Sequence, residues 1–280
     1  MGRPGTEVGI HTPTELDLEN VLQIPLVSRS FGIELEFTGS RNTVSAALVR
    51  QGLNSRVENY NHSVRRHWKI TTDESVERGG ELVSPILNNL DGRVQVAKAC
   101  SGLRAAGATT NRSTGFHAHH DVRDLAASEI VRVAKSYYKS QKAIDGLVAD
   151  SRRSSGYNSY CQPIGEREIQ GLEAHSDSLG NFRQHADYVN RFRTLNVECY
   201  PRYGTIEFRQ HQGTHDANKV LSWVAMGQSL IQTSMDGVLV DTENTFDLLA
   251  ILGEHGLPHD AGEFLKARAR HFEQARYAAR

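Results

Sequence analysis

The sequence predicts an α+β fold in which one sheet packs its apolar face on helices and keeps its other face polar. Two observations carry this expectation. Segments that alternate apolar and polar residues recur between segments of helical period, and the polar positions of the alternating segments hold Glu, His and Arg. With 280 residues, 38% of them hydrophobic, the chain can bury a sizeable core. Residues 1–28 read as a loosely ordered lead-in, 29–240 as the main domain and 241–280 as a helical extension packed on it.

The first strand is Phe31, Ile33, Leu35 and Phe37 alternating with Gly32, Glu34, Glu36 and Thr38, which places both glutamates on one face. Asn42-Thr43 is expected to cap a short helix carrying Val44, Ala47 and Leu48. Trp68, Ile70 and Thr72 alternate with Lys69, Thr71 and Asp73 in a second strand. Gly79-Gly80 reads as a turn before a third, Glu81 to Ser84, which Pro85 ends. Leu90, Val94, Ala97, Cys100 and Leu103 give a helix closing near Gly107. Thr114 to Val122 alternates again, with Gly115, His117 and His119 opposite Phe116, Ala118 and His120.

A longer helix follows through Ile130, Val133, Ala134, Tyr137, Ile144 and Val148. Residues from Asp150 to about Asp187 have little period of either kind, the pattern of a functional lid or binding loop. Arg193 to Cys199 and Gly204 to His211 read as strands, the second with Ile206 and Phe208 opposite Thr205, Glu207, Arg209 and His211. Helical period closes the chain over Ala217–Met235, Phe246–Leu252 and Glu263–Tyr277.

Composition narrows the class. Lys+Arg 32 against Asp+Glu 33 leaves a net charge of −1, so no overall field draws in nucleic acid or an anionic membrane. No apolar run approaches the roughly 18 residues a bilayer span needs, and Met1 to Asn20 has no signal-peptide core. Three cysteines, none in a C-x-x-C pair, argue against a disulfide framework or a thiolate zinc site. The expectation is a soluble, cytoplasmic protein. Arg outnumbers Lys 25 to 7, which reflects either base composition or a need for the planar guanidinium fork that grips phosphate and carboxylate.

The polar sheet face is the informative part. If the strands are neighbours, Glu34, Glu36, Asp73, Glu81 and Glu207 converge with His117. Each piece alone has a plain structural explanation: a solvated sheet face, a hydrogen-bonded histidine, a Glu207–Arg209 ion pair. Together, five carboxylates repel unless cations neutralise them, so the set predicts bound divalent metal. Oxygen-dominated ligation favours Mg²⁺ or Mn²⁺. Periodicity alone therefore reaches a metal-dependent enzyme.

The motifs add a resemblance. Phe31-Gly32-Ile33-Glu34-Leu35-Glu36-Phe37, Asp73-Glu74-Ser75 and Gly80-Glu81-Leu82-Val83-Ser84-Pro85-Ile86-Leu87 resemble the opening motifs of the amidoligase family. Thr114-Gly115-Phe116-His117-Ala118-His119-His120 is similar to its histidine motif, and Leu195-Asn196 with Gly204 to Thr214, leading to Trp223, to its closing signature. That family is similar to the glutamine synthetase and glutamate–cysteine ligase superfamily of carboxylate–amine ligases. The resemblance implies a curved, mostly antiparallel sheet holding ATP and two or more Mg²⁺ on its concave face. The implied reaction phosphorylates a carboxylate with ATP, and an amine then displaces phosphate to leave an amide.

Carried over by motif, Glu36, Asp73 and Glu81 would hold one metal near the acyl acceptor. Glu34, His117 and Glu207 would hold the metal that bridges the ATP phosphates, and Arg209 would meet the γ-phosphate or acyl-phosphate. His119 and Asn196 would orient substrate or support the ligands. Arg152 and Arg153 are candidates for substrate carboxylate or phosphate, as is Lys69 for phosphate. No Walker loop is present, so metals and arginines would carry the nucleotide. The implied substrates are a small-molecule or peptide carboxylate and an amine, on an amino acid, peptide or cell-wall fragment. A homo-oligomer is compatible with the superfamily, with the chain beyond Asp241 as interface or as packed cap.

Two other classes stay open at this stage. A metal-dependent hydrolase or oxygenase would use His117-x-His119, but Arg123 and Asp124 stand where a cupin carries Glu, and no HExxH motif occurs. A non-catalytic nucleotide-binding relative would keep the fold without turnover, although every expected ligand position holds a competent residue.

Overall fold

The computed structural model describes residues 29–154 and 158–278, so the expected lead-in over 1–28 lies outside the described residues. Seven strands form one sheet in the order β2-β3-β4-β1-β5-β7-β6. They are β1 (Phe31–Thr38), β2 (Ser55–Val57), β3 (Trp68–Thr71), β4 (Gly79–Val83), β5 (Gly115–Asp121), β6 (Leu195–Asn196) and β7 (Thr205–Gln212). Among these described strands, β2 and β3 pair in parallel and the other five pairings are antiparallel. The fold is the expected α+β class.

The helices are α1 (Arg41–Arg50), α2 (Asn89–Ala105), α3 (Ala127–Lys139), α4 (Gln141–Asp145), α5 (Glu166–Glu173), α6 (Leu179–His185), α7 (Tyr200–Tyr203), α8 (Ala217–Met235), α9 (Thr245–Glu254) and α10 (His259–Ala278). The α8 helix is central. It packs on β5, α2, α3, α9 and α10, and its Ser229, Thr233 and Ser234 hydroxyls bond the carbonyls of Ala225, Ser229 and Leu230, so they can be buried. Ile33, Leu35, Ile70, Leu82, Phe116, Ala118, Ile206 and Phe208 supply the sheet's side of the same core. Leu248, Leu252, Leu257 and Leu265 from α9, the turn after it and α10 join that core.

The β5–α8 contact is close because Gly227 has no side chain. A Cβ there would lie 2.5 Å from Nε2 of His120. The His120 ring is fully buried, edge-on to Phe208 at 5.1 Å. Burial first, with His119 and Arg29 nearby, holds its pKa down to about 3, so it is a neutral core residue.

Several local expectations are corrected. Ser40, not Asn42-Thr43, caps α1, accepting from the Thr43 amide at 3.3 Å. Gly79 and Gly80 begin β4 instead of turning before it; a Cβ on Gly79 would come within 1.9 Å of the Phe37 carbonyl oxygen. Leu90 is exposed, and α2 buries Val96, Ala97, Ala99, Cys100 and Leu103. The stretch from 150 to 187 is not patternless: it contains α5 and α6. Arg193 to Cys199 gives only the two-residue β6, because the Val197 and Glu198 amides turn back to the Val189 carbonyl.

The most consequential departure is a bulge in β7. Phe116 pairs with His211 but Ala118 pairs with Phe208, so Arg209 and Gln210 share the place opposite His117. Arg209 stays with the polar face, bonded to Glu207. Gln210 instead accepts from the Tyr137 hydroxyl and donates to Asp145. His211, expected beside Glu207, is buried edge-on to Phe116 and Trp223.

Candidate active site

Strand register builds the site. Glu36 stands opposite Glu81 across β1–β4, Glu34 opposite His117 across β1–β5, and His119 opposite Glu207 across β5–β7. Asn196 of β6 stands opposite Glu207 on its other side. Thr71 pairs with Glu81, and Asp73 follows two residues on. All of these occupy the face away from Leu35, Leu82 and Ile70, so the alternation that builds the core also gathers the carboxylates.

The gathering is tight. Donor atoms of Glu36, Asp73 and Glu81 lie within 4.8 Å of one another, and so do those of Glu34, Glu81 and His117. His117 Nδ1 is 3.1 Å from Glu34 and 3.4 Å from Glu207, while its Nε2 is 3.5 Å from Glu36. The Gly115 amide donates to Glu36 at 2.6 Å, and the Asn196 amide group donates to Glu207, also at 2.6 Å. Arg209 pairs with the other Glu207 oxygen. Each ligand candidate on β1 and β7 is therefore aimed by a neighbour.

The electrostatics describe a cluster short of positive charge. Burial, then the negative charges of Glu34, Glu36 and Asp73, push the Glu81 carboxyl well above its ordinary range. Burial opposes ionisation of Glu34 as well, but hydrogen bonds and charge from His117 and His119 hold it well below the ordinary range. Burial disfavours the charged form of His119, yet Glu207, Cys199 and Glu34 raise its pKa well above the ordinary value. Glu207 is lowered against the cost of burial by Arg209, His119 and His117. Burial and like charge therefore favour the neutral form of Glu81, while the acidic neighbours favour the charged form of His119. An oxygen-rich donor set in that condition fits divalent cations.

The arginines divide. Arg152 is buried; its Nη2 makes a 3.4 Å bond to the Ser113 carbonyl, and among the described residues its Nε has no hydrogen-bond partner. It lies against the site: a Cβ on Gly115 would be 2.6 Å from Arg152 Nη2 and 3.0 Å from His117 Nε2. Among the described residues, the buried Arg209 Nε has no hydrogen-bond partner either. Arg153 goes elsewhere, donating to the Asp145 and Val148 carbonyls and lying 5.8 Å over the Phe272 ring. Lys69 shares the polar face, but its ammonium is taken up by the carbonyls of Asn61 and Ser63.

Those carbonyls belong to a strap over residues 58–67, between β2 and β3, that the sequence did not announce. Hydrogen bonds from Arg65, then from His67 and Asn61, hold the Glu58 carboxyl down to about 2 and tie the strap's ends together. The Tyr203 hydroxyl donates to the His62 carbonyl at 2.9 Å. Tyr203 ends α7, just before β7, and lies edge-on to the His119 ring at 6.4 Å, so the strap reaches from the β2–β3 edge over the polar face toward His119. Cys199 was also missed. Its thiol lies beside His119 and Glu207, all three donor atoms within 4.8 Å of one another. A test for paired cysteines has no means of finding a single thiol delivered by a turn.

The profile of a family described as putative amidoligase enzyme matches residues 27–231. No curated protein matches the sequence. Among solved structures, a bifunctional glutathione synthetase from Pasteurella multocida is similar with TM-score 0.47 and 14% identity, over 92% of this chain and 48% of that one. A novel glutamine synthase homolog gives 0.45 and 13%, over 92% and 69%. A GmaS/ADP complex gives 0.45 and 12%, over 94% and 73%. The chain spans about half the length of the synthetase. Among the described residues, no helix is long and apolar enough to cross a membrane.

Proposed function

The chain belongs to the putative amidoligase enzyme family, and on that premise we propose that it is an ATP- and Mg²⁺-dependent carboxylate–amine ligase. The observation that carries the proposal is the buried face on which five carboxylates and His117 meet Arg209 and Arg152. Glu36, Asp73 and Glu81 would hold one Mg²⁺, and Glu34, His117 and Glu207 a second. When bound, these ions supply the positive charge that offsets the nucleotide's phosphates during transfer.

The γ-phosphoryl group passes from ATP to a carboxylate oxygen, and ADP leaves. The amine nitrogen then attacks the acyl carbon. Phosphate departs with that oxygen, and the nitrogen loses a proton as the amide forms. Arg209 holds the anionic oxygens of the transferred group, its fork kept in place by Glu207. Arg152, with donors to spare at the site's wall, takes substrate carboxylate or phosphate. His119 orients substrate, and Asn196 fixes the Glu207 oxygen that Arg209 leaves free. The strap limits water at the reacting face. The acid and amine we favour belong to an amino acid, peptide or cell-wall fragment.

Calorimetric titration of ATP with and without Mg²⁺, repeated on Glu36→Gln, tests the reading. Binding that requires Mg²⁺ and falls about tenfold or more in the variant is expected, since the amide keeps an oxygen but loses the charge. Mg²⁺-independent binding, or none, would reject it.

A further inference from the structure

We infer that His119, Cys199 and Glu207 form a site for a thiophilic d-block cation such as Zn²⁺ or Co²⁺, sharing Glu207 with the carboxylate cluster. The site lies beside the carboxylate cluster but is distinct from it in chemistry. The Mg²⁺ positions are built from oxygen and one imidazole, whereas this constellation offers one nitrogen, one sulfur and one oxygen within 4.8 Å of each other. Thiolate with imidazole selects zinc-like ions and is a poor environment for Mg²⁺.

The three ligands are delivered by independent elements. His119 projects from β5, Glu207 from the register position opposite it on β7, and Cys199 from the turn between β6 and α7. Cys199 is a buried cysteine outside any disulfide. Its present partners are the carbonyl oxygens of Thr205 at 3.0 Å and Asn196 at 3.5 Å. The Thr205 hydroxyl lies 3.1 Å from His119 Nδ1 and 3.7 Å from the Cys199 sulfur, between the two. Glu34, 3.4 Å from His119 Nε2, adds negative charge at the rim. Coordination replaces protons with metal: the thiol proton and any proton on the His119 ring nitrogen that binds pass to solvent as the Cys199–metal and His119–metal bonds form.

Glu207 belongs both to this constellation and to the proposed nucleotide metal. A zinc-like ion at Cys199 would therefore antagonise Mg²⁺-dependent ATP binding, a consequence that rests on the function proposed above. The binding itself does not rest on it.

Titration of Co²⁺ into the nucleotide-free protein tests the site, because a thiolate-to-cobalt charge-transfer band in the near ultraviolet marks sulfur ligation. Cobalt on carboxylates alone gives no such band. We expect the band in the wild type, its bleaching by Zn²⁺, and its loss in Cys199→Ser and Cys199→Ala. His119→Gln should lower Co²⁺ affinity about tenfold or more. Absence of the band in the wild type, or its survival without Cys199, overturns the inference. Should neither Cys199 variant keep a cooperative melt, alkylation mapped by mass spectrometry reads the same point in the wild type. Zn²⁺ must then protect Cys199, and unprotected alkylation overturns the site. Cys199→Ser should retain Mg²⁺-dependent ATP binding. Failure of that binding in the wild type would count against the ligase reading alone, and failure of the cobalt band against the soft-metal site alone.

Discussion

Glu36 and Glu81 face each other in directly paired register positions across β1 and β4. Glu36 accepts from the Gly115 amide, whereas the Glu81 carboxyl is pushed well above its ordinary range by burial and by its acidic neighbours. Burial and the acidic neighbours thus favour the neutral form of Glu81, at a place where a divalent ion would offset the same repulsion.

The raised Glu81 carboxyl sets a pH dependence. A carboxyl whose pKa is raised by folding stabilises the native state at low pH, and the contribution disappears as pH rises from the ordinary glutamate value through the raised one. The metal-free protein should therefore lose thermal stability over that window, and Glu81→Gln should flatten the loss. Melting curves across pH, without metal, check this; equal slopes for wild type and variant would contradict it. Saturating Mg²⁺ should stabilise the wild type most at the upper end of the window.

Arg209→Lys should leave Mg²⁺–ATP affinity within about twofold while lowering turnover by roughly a hundredfold, since an ammonium cannot reproduce the bidentate hold on a transferring phosphoryl group. Phosphate release measured beside calorimetric binding separates the two effects.

Gly227→Ala puts a methyl carbon 2.5 Å from His120 Nε2. With both elements buried, α8 must move off β5, at a cost of about 1–3 kcal/mol. A lower midpoint in denaturant unfolding is expected, with the site residues unchanged.

Tyr203→Phe removes the hydroxyl that donates to the His62 carbonyl. The loss should be about 1 kcal/mol and local, appearing as faster amide exchange over residues 58–67 without a matching change in α8. Uniform acceleration would mean that the strap is not an independent unit.

Much of this was legible where one period ran unbroken. In β1 and β5 alternation assigned every residue to its face, Glu34, Glu36, His117 and His119 included. In β7 it did so only as far as Arg209, because a bulge shifts the phase without a local composition that marks it, and His211 crossed to the core. The glycines at 79 and 80 misled because the same residue serves a turn and a close strand approach. Helices α5 and α6 are too short, at 8 and 7 residues, for a helical period to stand out. Lys69 and Arg153 sit where the sequence put them along the chain, but their partners, strap carbonyls and α4, are tertiary and invisible to spacing.

The strand order also has a kinetic consequence. β1 lies at the middle of the sheet, between β4 and β5, and β5 pairs onward with β7, so Glu34 and Glu207 meet only after about 170 residues of intervening chain have been arranged. Contacts that distant are slow to form, because chain entropy is spent before the pairing offsets it. A nascent chain would carry Glu34 and Glu36 long before β7 existed to complete their surroundings. Metal binding should therefore follow sheet closure, slowing unfolding more than it speeds folding.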